Sequence, residues 1–204
     1  MKLLATALAG VLAVAAAPCG PGAIAAEQAR QPDDRQTSAP KPRTRAEVRA
    51  DLYARLAASS DADETEGIVG LLFASYGRSG SDTGDVLMGR ARKAIAARDF
   101  DAAGRILDAA VAFMPDEAEA WNARATLRYL DDDYDGSMAD IAETLKREPR
   151  HLGALMGMAS ILASQDKKKE ALEVYERALA IAPHWKNAEE ASGKLRAAIA
   201  GQEL

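Results

Sequence analysis

The sequence repeats itself every 34 residues, and that period limits the fold more than any other feature. Pro115, Pro149 and Pro183 stand at one phase. The small residues Ala91, Ala125 and Ala159 stand at a second, and Ala103, Ser137 and Ala171 at a third. A larger apolar residue follows the last set by four: Leu107, Ile141 and Tyr175. Three further on are Ala110, Thr144 and Ala178. Apolar positions three and four apart are helical spacing, so each block is predicted to hold two antiparallel helices. The small residues mark where the two backbones approach. A larger side chain there would overpack, at a typical cost of about 1–3 kcal/mol. The proline closes the second helix, because it lacks a backbone donor and restricts the residue before it. One such pair cannot cover its own apolar face, so the blocks must stack and bury a continuous core.

A helix–turn–helix period of this length resembles the tetratricopeptide repeat (TPR) family. The resemblance covers residues 84–185, as repeats 84–117, 118–151 and 152–185 in unbroken register. It implies an all-α superhelical solenoid of three full repeats. It also implies protein binding, because the first helices of such repeats line a concave groove that holds an extended peptide or a partner's helix. Carried over position by position, this groove would be lined by Asp85, Met88, Arg92 and Ile95, then Glu119, Asn122, Thr126 and Tyr129, then Met156, Ser160 and Ala163. The basic clamp that some relatives use for a terminal carboxylate is absent, and Arg92 is the single cation of this set. Two positions depart from the family pattern. Where leucine is usual stand Arg90, Arg124 and Met158; where tyrosine is usual stand Ala94, Arg128 and Leu162. An arginine at such a position is expected to lay its stem on the surface and send its head to a carboxylate or to water. The chain also resembles a group of exported bacterial repeat proteins. Trp121-Asn122, Asp140-Ile141, Glu148-Pro149-Arg150-His151 and Gly153-Ala154-Leu155 carry that likeness, which implies the same register and an exported location but no activity.

Residues 131–136, DDDYDG, begin as a calcium loop begins, with Asp131, Asp133 and Asp135 alternating before Gly136. Such a loop needs a glutamate at its twelfth position. Counted from Asp131 that position is Ala142, and Glu143 comes one residue late. In the repeat register the stretch spans the turn between helices at about 116–130 and 134–148. The corresponding turns carry Asp99 and Asp166. All three aspartates, with Asp133, are read as helix N-caps, which accept bonds from free amides at the positive end of the helix dipole. Phe100 and Tyr134 are expected to pack back on the preceding repeat's helix. No metal site is expected.

Residues 44–83 read as a helical pair ahead of the repeats. Thr44 and Glu47 form a capping box, Val48, Leu52, Tyr53 and Leu56 follow at helical spacing, and a second helix near 61–76 carries Ile68, Val69, Leu71, Leu72 and Phe73. The pair is expected to cap the front of the stack. Residues 186–204 read as a capping helix at the back, with Ala188, Ala191, Leu195 and Ile199 inward and Glu189, Glu190, Lys194 and Arg196 outward.

The start of the chain has a different character. Met1-Lys2, an apolar run from Leu3 to Ala17, helix breakers from Pro18 to Gly22 and the small-residue triplet Ala23-Ile24-Ala25 have the layout of a cleaved secretory signal over residues 1–26. The run is about 15 residues, short of the ~20 that span a bilayer, so no stable membrane span is expected once the signal is removed. Pro18 precedes Cys19, where a lipidated cysteine normally follows a small residue, so lipid attachment is not expected. Residues 27–43 hold three prolines, mixed charge and alanine as the one apolar residue, and are read as a disordered linker.

Chemistry narrows the function further. A formal net charge of −5 and a pI near 5.2 argue against nucleic acid as the partner. The two histidines, His151 and His184, each lie near a repeat-ending proline and are read as turn surface. No serine or cysteine nucleophile has a base at recognisable spacing, and no strand precedes a glycine-rich phosphate loop. The expectation is a non-enzymatic, cofactor-free protein that is exported to the periplasm. It binds a protein or peptide partner in the groove as an adaptor or scaffold. The alternative is a structural subunit of an envelope complex, assembling through its convex face or its ends.

Overall fold

A computed structural model of the protein describes residues 42–201. The signal and most of the linker read above lie outside those residues. Among the described residues the chain forms nine α-helices and no strand: α1 (Arg45–Ala58), α2 (Ala62–Tyr76), α3 (Asp82–Ala96), α4 (Phe100–Phe113), α5 (Ala118–Leu130), α6 (Tyr134–Arg147), α7 (Leu152–Ser164), α8 (Lys168–Ile181) and α9 (Lys186–Ala200). The three 34-residue blocks are the pairs α3/α4, α5/α6 and α7/α8. Every small or apolar residue of the period, from Ala91 to Ala178, is buried. Each closing helix ends two residues before its proline, at Phe113, Arg147 and Ile181. The residues before the prolines, Met114, Glu148 and Ala182, hold φ near −130° with positive ψ, the non-helical backbone that a following proline imposes.

The turns within the repeats correct one expectation. Asp99 and Asp133 cap α4 and α6, their carboxylates accepting from the amides of Ala102 and Gly136. Gly136 lies so close to Asp133 that a Cβ there would sit 2.1 Å from its Oδ2. The glycine thus makes room for the cap rather than for a metal loop. Asp166, however, is not the third cap. It is the 34-residue counterpart of Arg98 and Asp132, and all three take left-handed backbone, with φ of 60°, 58° and 59°. The N-cap of α8 is Lys167, which makes no side-chain cap bond. Asp133→Ala is expected to cost about 1 kcal/mol and Lys167→Asp to recover a similar amount. Paired denaturant midpoints check both, and equal midpoints would contradict the capping assignment. Tyr134 also differs from expectation: its ring meets Tyr129 of its own repeat at 5.6 Å, and its hydroxyl donates to Asp132.

Two of the three arginines at apolar positions, Arg124 and Arg128, find carboxylates, whereas Arg90 is exposed. Arg124 makes a forked contact with Asp140, Nε to Oδ2 at 2.9 Å and Nη2 to Oδ1 at 2.8 Å, and reaches Asp108 with Nη1. Arg128 joins from the next turn, 2.9 Å from Asp140 Oδ2. These bonds hold the Arg124 guanidinium above its ordinary pKa. Trp121 lies beneath the Arg124 and Arg147 heads, 5.1 and 4.6 Å from its ring centre.

The leading pair α1/α2 does not cover the front of the stack. Leu52, Tyr53, Leu56, Ile68, Val69, Leu72 and Tyr76 share one core with Leu152, Leu155, Val174, Tyr175, Trp185 and Ala188 of the third repeat and α9. The core of the first repeat, around Met88, Leu107 and Val111, includes neither α1 nor α2. The hairpin is fastened at the proline turns. Tyr76 donates to the Tyr53 hydroxyl, which donates to the Arg150 carbonyl at 2.8 Å. Phe73 meets Trp185 at 6.2 Å, and Lys186 pairs with Asp63. Burial pushes the Tyr53 hydroxyl up to about 12. On α9, Ala188 is buried and Ala191, Leu195 and Ile199 are half-buried, while Glu189, Glu190, Lys194 and Arg196 are exposed.

Candidate protein-binding groove

The first helices α3 and α5 bring six of the expected groove residues together. Between α3 and α5 lies a depression of about 300 Å³ lined by Arg92, Ile95, Ala96, Glu119, Asn122, Ala123 and Thr126. Between α5, α6 and α7 lies a second of about 140 Å³, lined by Asn122, Ala125, Thr126, Tyr129, Ser137, Ile141, Gly153 and Gly157. Asn122 and Thr126, one turn apart on α5, border both and join them into one channel. Tyr129, 37% exposed, stands at its far end.

The polar groups are partly committed within the chain. Asn122 Nδ2 donates to Glu119 Oε2 at 3.2 Å. Thr126 donates its hydroxyl to the Asn122 carbonyl, the usual intrahelical choice for threonine. Glu119 Oε2 also lies 3.2 Å from His151 Nε2. Because His151 Nδ1 accepts from the Ala154 amide, capping α7, the neutral ring carries its proton on Nε2 and donates to Glu119.

Other expected lining residues are placed elsewhere. Met88, 4% exposed, belongs to the first repeat's core. Met156 packs against the core shared by α7, α8 and the leading hairpin. Ser160 lies 3.4 Å from the Tyr175 hydroxyl. Asp85 accepts from the Ser79 amide and hydroxyl, which hold its carboxyl below the ordinary range. His151 is not turn surface: it is 1% exposed and stacks on Tyr76 with ring centres 4.4 Å apart. The groove of the third repeat is partly filled from within, because Phe73 of α2 lies against Gly153. The open channel therefore runs along α5, between α3 and the first turns of α7. Gly153 and Gly157 were the missed contributors. Two glycines four apart on a groove-lining helix lower the wall between depression and solvent, and that spacing was visible in the sequence.

A TPR repeat-containing protein of Rhizobium etli (strain ATCC 51251 / DSM 11541 / JCM 21823 / NBRC 15573 / CFN 42) is 40% identical over 150 residues, 74% of each chain. The chain belongs to the tetratricopeptide repeat family. No family model matches it. Among solved structures, the Arabidopsis OM64 TPR domain aligns with 56% of this chain and 95% of its own, at a TM-score of 0.53 and 17% identity. The first TPR of Spaghetti (RPAP3), bound to an HSP90 peptide, aligns with 57% of this chain and 93% of its own, at 0.55 and 19%. At these identities the likeness concerns the fold. TPR arrays generally present extended concave surfaces for protein–protein interaction. No group of three or more His, Cys, Asp or Glu residues is placed to hold a metal ion, and no helix is long and apolar enough to cross a membrane, among the described residues.

Proposed function

We propose that this TPR protein is an exported, periplasmic adaptor that holds an extended peptide or a partner's helix in the channel along α5. The observation that carries the reading is the pair of adjoining depressions sharing Asn122 and Thr126. A peptide backbone laid along α5 meets a fixed amide at Asn122, with apolar side-chain room on either side beside Ile95 and Ile141. That the first TPR of Spaghetti is bound to an HSP90 peptide supports a peptide partner for this fold. Export rests on the signal layout of residues 1–26. The pI near 5.2 favours a protein partner over nucleic acid, and the role needs no cofactor. A second reading, a structural subunit, is favoured by Val86, which is left exposed on α3 where the leading hairpin does not reach.

A photo-crosslinking residue at Thr126 is expected to capture a partner from the cell envelope. Asn122→Ala with Tyr129→Ala should weaken that capture at least ~10-fold, about 1.4 kcal/mol, because interface energy concentrates in a few central side chains. Glu189→Ala with Lys194→Ala on α9 should leave it unchanged. Capture from Glu173 on the convex helix but not from Thr126 would favour the structural subunit instead.

A further inference from the structure

A separate cavity of about 420 Å³ lies where α1 and the α2–α3 loop face the turn between the first two repeats and the end of α6. Three arginines are among the residues that line it, Arg45, Arg49 and Arg147. Two are neutralised. Arg45 pairs with Glu117 at 2.9 Å and donates to the Arg78 carbonyl. Arg147 pairs with Glu143 at 2.5 Å and donates to the Pro115 carbonyl. Arg49 differs. Among the described residues its buried Nη1 has no hydrogen-bond partner, and its head lies 5.4 Å from the centre of the Tyr76 ring instead of on a carboxylate. A buried donor left unmatched keeps its desolvation cost, and more so when it is charged.

The surroundings select a ligand. A guanidinium presents a planar fork that fits a carboxylate. The rim carries Asp116, Glu117 and Glu148, whose charges repel a dianion such as phosphate more strongly than a monoanion. Phe113, 52% exposed, stands beside Met114 and Tyr76 and supplies an apolar wall. The volume suits a small organic molecule or one terminal residue. Gly80, at φ +80°, shapes the opposite side; a Cβ there would come within 3.3 Å of the Arg45 head.

We infer that this cavity is a binding site for a carboxylate with an apolar, preferably aromatic, body, recognised by Arg49 and independent of the groove. The source is either a free small acid or the carboxy-terminal residue of a peptide. Calorimetric titration of the full-length chain with phenylacetate, N-acetyl-alanyl-phenylalanine, its carboxamide and inorganic phosphate tests it. Phenylacetate and the free-acid dipeptide are expected to bind and the carboxamide and phosphate not to. A tighter dipeptide assigns the site to peptide termini, and a tighter phenylacetate to free acids. Arg49→Gln should weaken the acids at least ~10-fold. Phe113→Ala, a change at an exposed residue that spares the fold, should weaken them severalfold. No heat from either acid, equal binding of acid and carboxamide, phosphate binding alone, or unchanged acid binding in Phe113→Ala would each overturn the assignment.

Discussion

Arg124→Leu is expected to lower stability by about 3 kcal/mol, although leucine is the residue usual in this family at that position. The reason lies sixteen residues away in Asp140, which is 2% exposed. Arg124 supplies two of the charged bonds to that carboxylate and Arg128 a third. Removing one partner of a buried pair typically costs about 3–5 kcal/mol, because the remaining charge keeps its desolvation penalty without its compensation. The persistence of Arg128 puts the expectation at the lower end. Arg124→Leu combined with Asp140→Leu should recover much of the loss, since an apolar replacement of a whole buried pair is often neutral or better. Urea denaturation of the two variants checks this. A single variant with the native midpoint would show that the ion pair is solvated and contributes little.

Leu72→Ala is expected to destabilise the whole array by about 2–5 kcal/mol, the range for emptying a large buried site. Leu107→Ala, inside the first repeat, should fall in the same range. Leu72 lies outside the repeats, on α2, yet it is fully buried in the core that also holds Leu152, Leu155 and Trp185. If the leading hairpin is integral, amide exchange in α7 accelerates in the Leu72 variant together with exchange in α2. A loss below ~1 kcal/mol, with exchange changed in α1 and α2 alone, would make the hairpin an appendage.

The repeat register was legible in the sequence because its physics is local. Ala125 and Ser137 approach within one helical pair, and the Ser137 hydroxyl donates to the Ala125 carbonyl at 2.8 Å. Pro149 stops α6 through its own ring, and Asp133 caps α6 through an amide three residues on. Each such rule is written in spacings of a few residues and repeated three times. The error at Asp166 shows the limit of that reading: aspartate suits both an N-cap and the left-handed position just before it, and only the strict phase separates them. The channel was legible in part, since Asn122, Thr126 and Tyr129 occupy family positions, whereas Met88 turned to the core because its neighbours left it buried.

The repeat period, the helix boundaries and the burial of the small positions are determined by the sequence itself, through backbone sterics and 3.6-residue periodicity. Tertiary structure decided where the leading hairpin docks, which repeats keep an open groove, that His151 is buried, and that Arg49 faces a cavity. Those outcomes rest on contacts such as Arg45 to Glu117, Tyr53 to Arg150 and Lys186 to Asp63, which span 72, 97 and 123 residues. Apolar burial is non-directional. An amphipathic hairpin without the repeat's phase carries no spacing that names its partner, and the surface it covers is set by shape and charge.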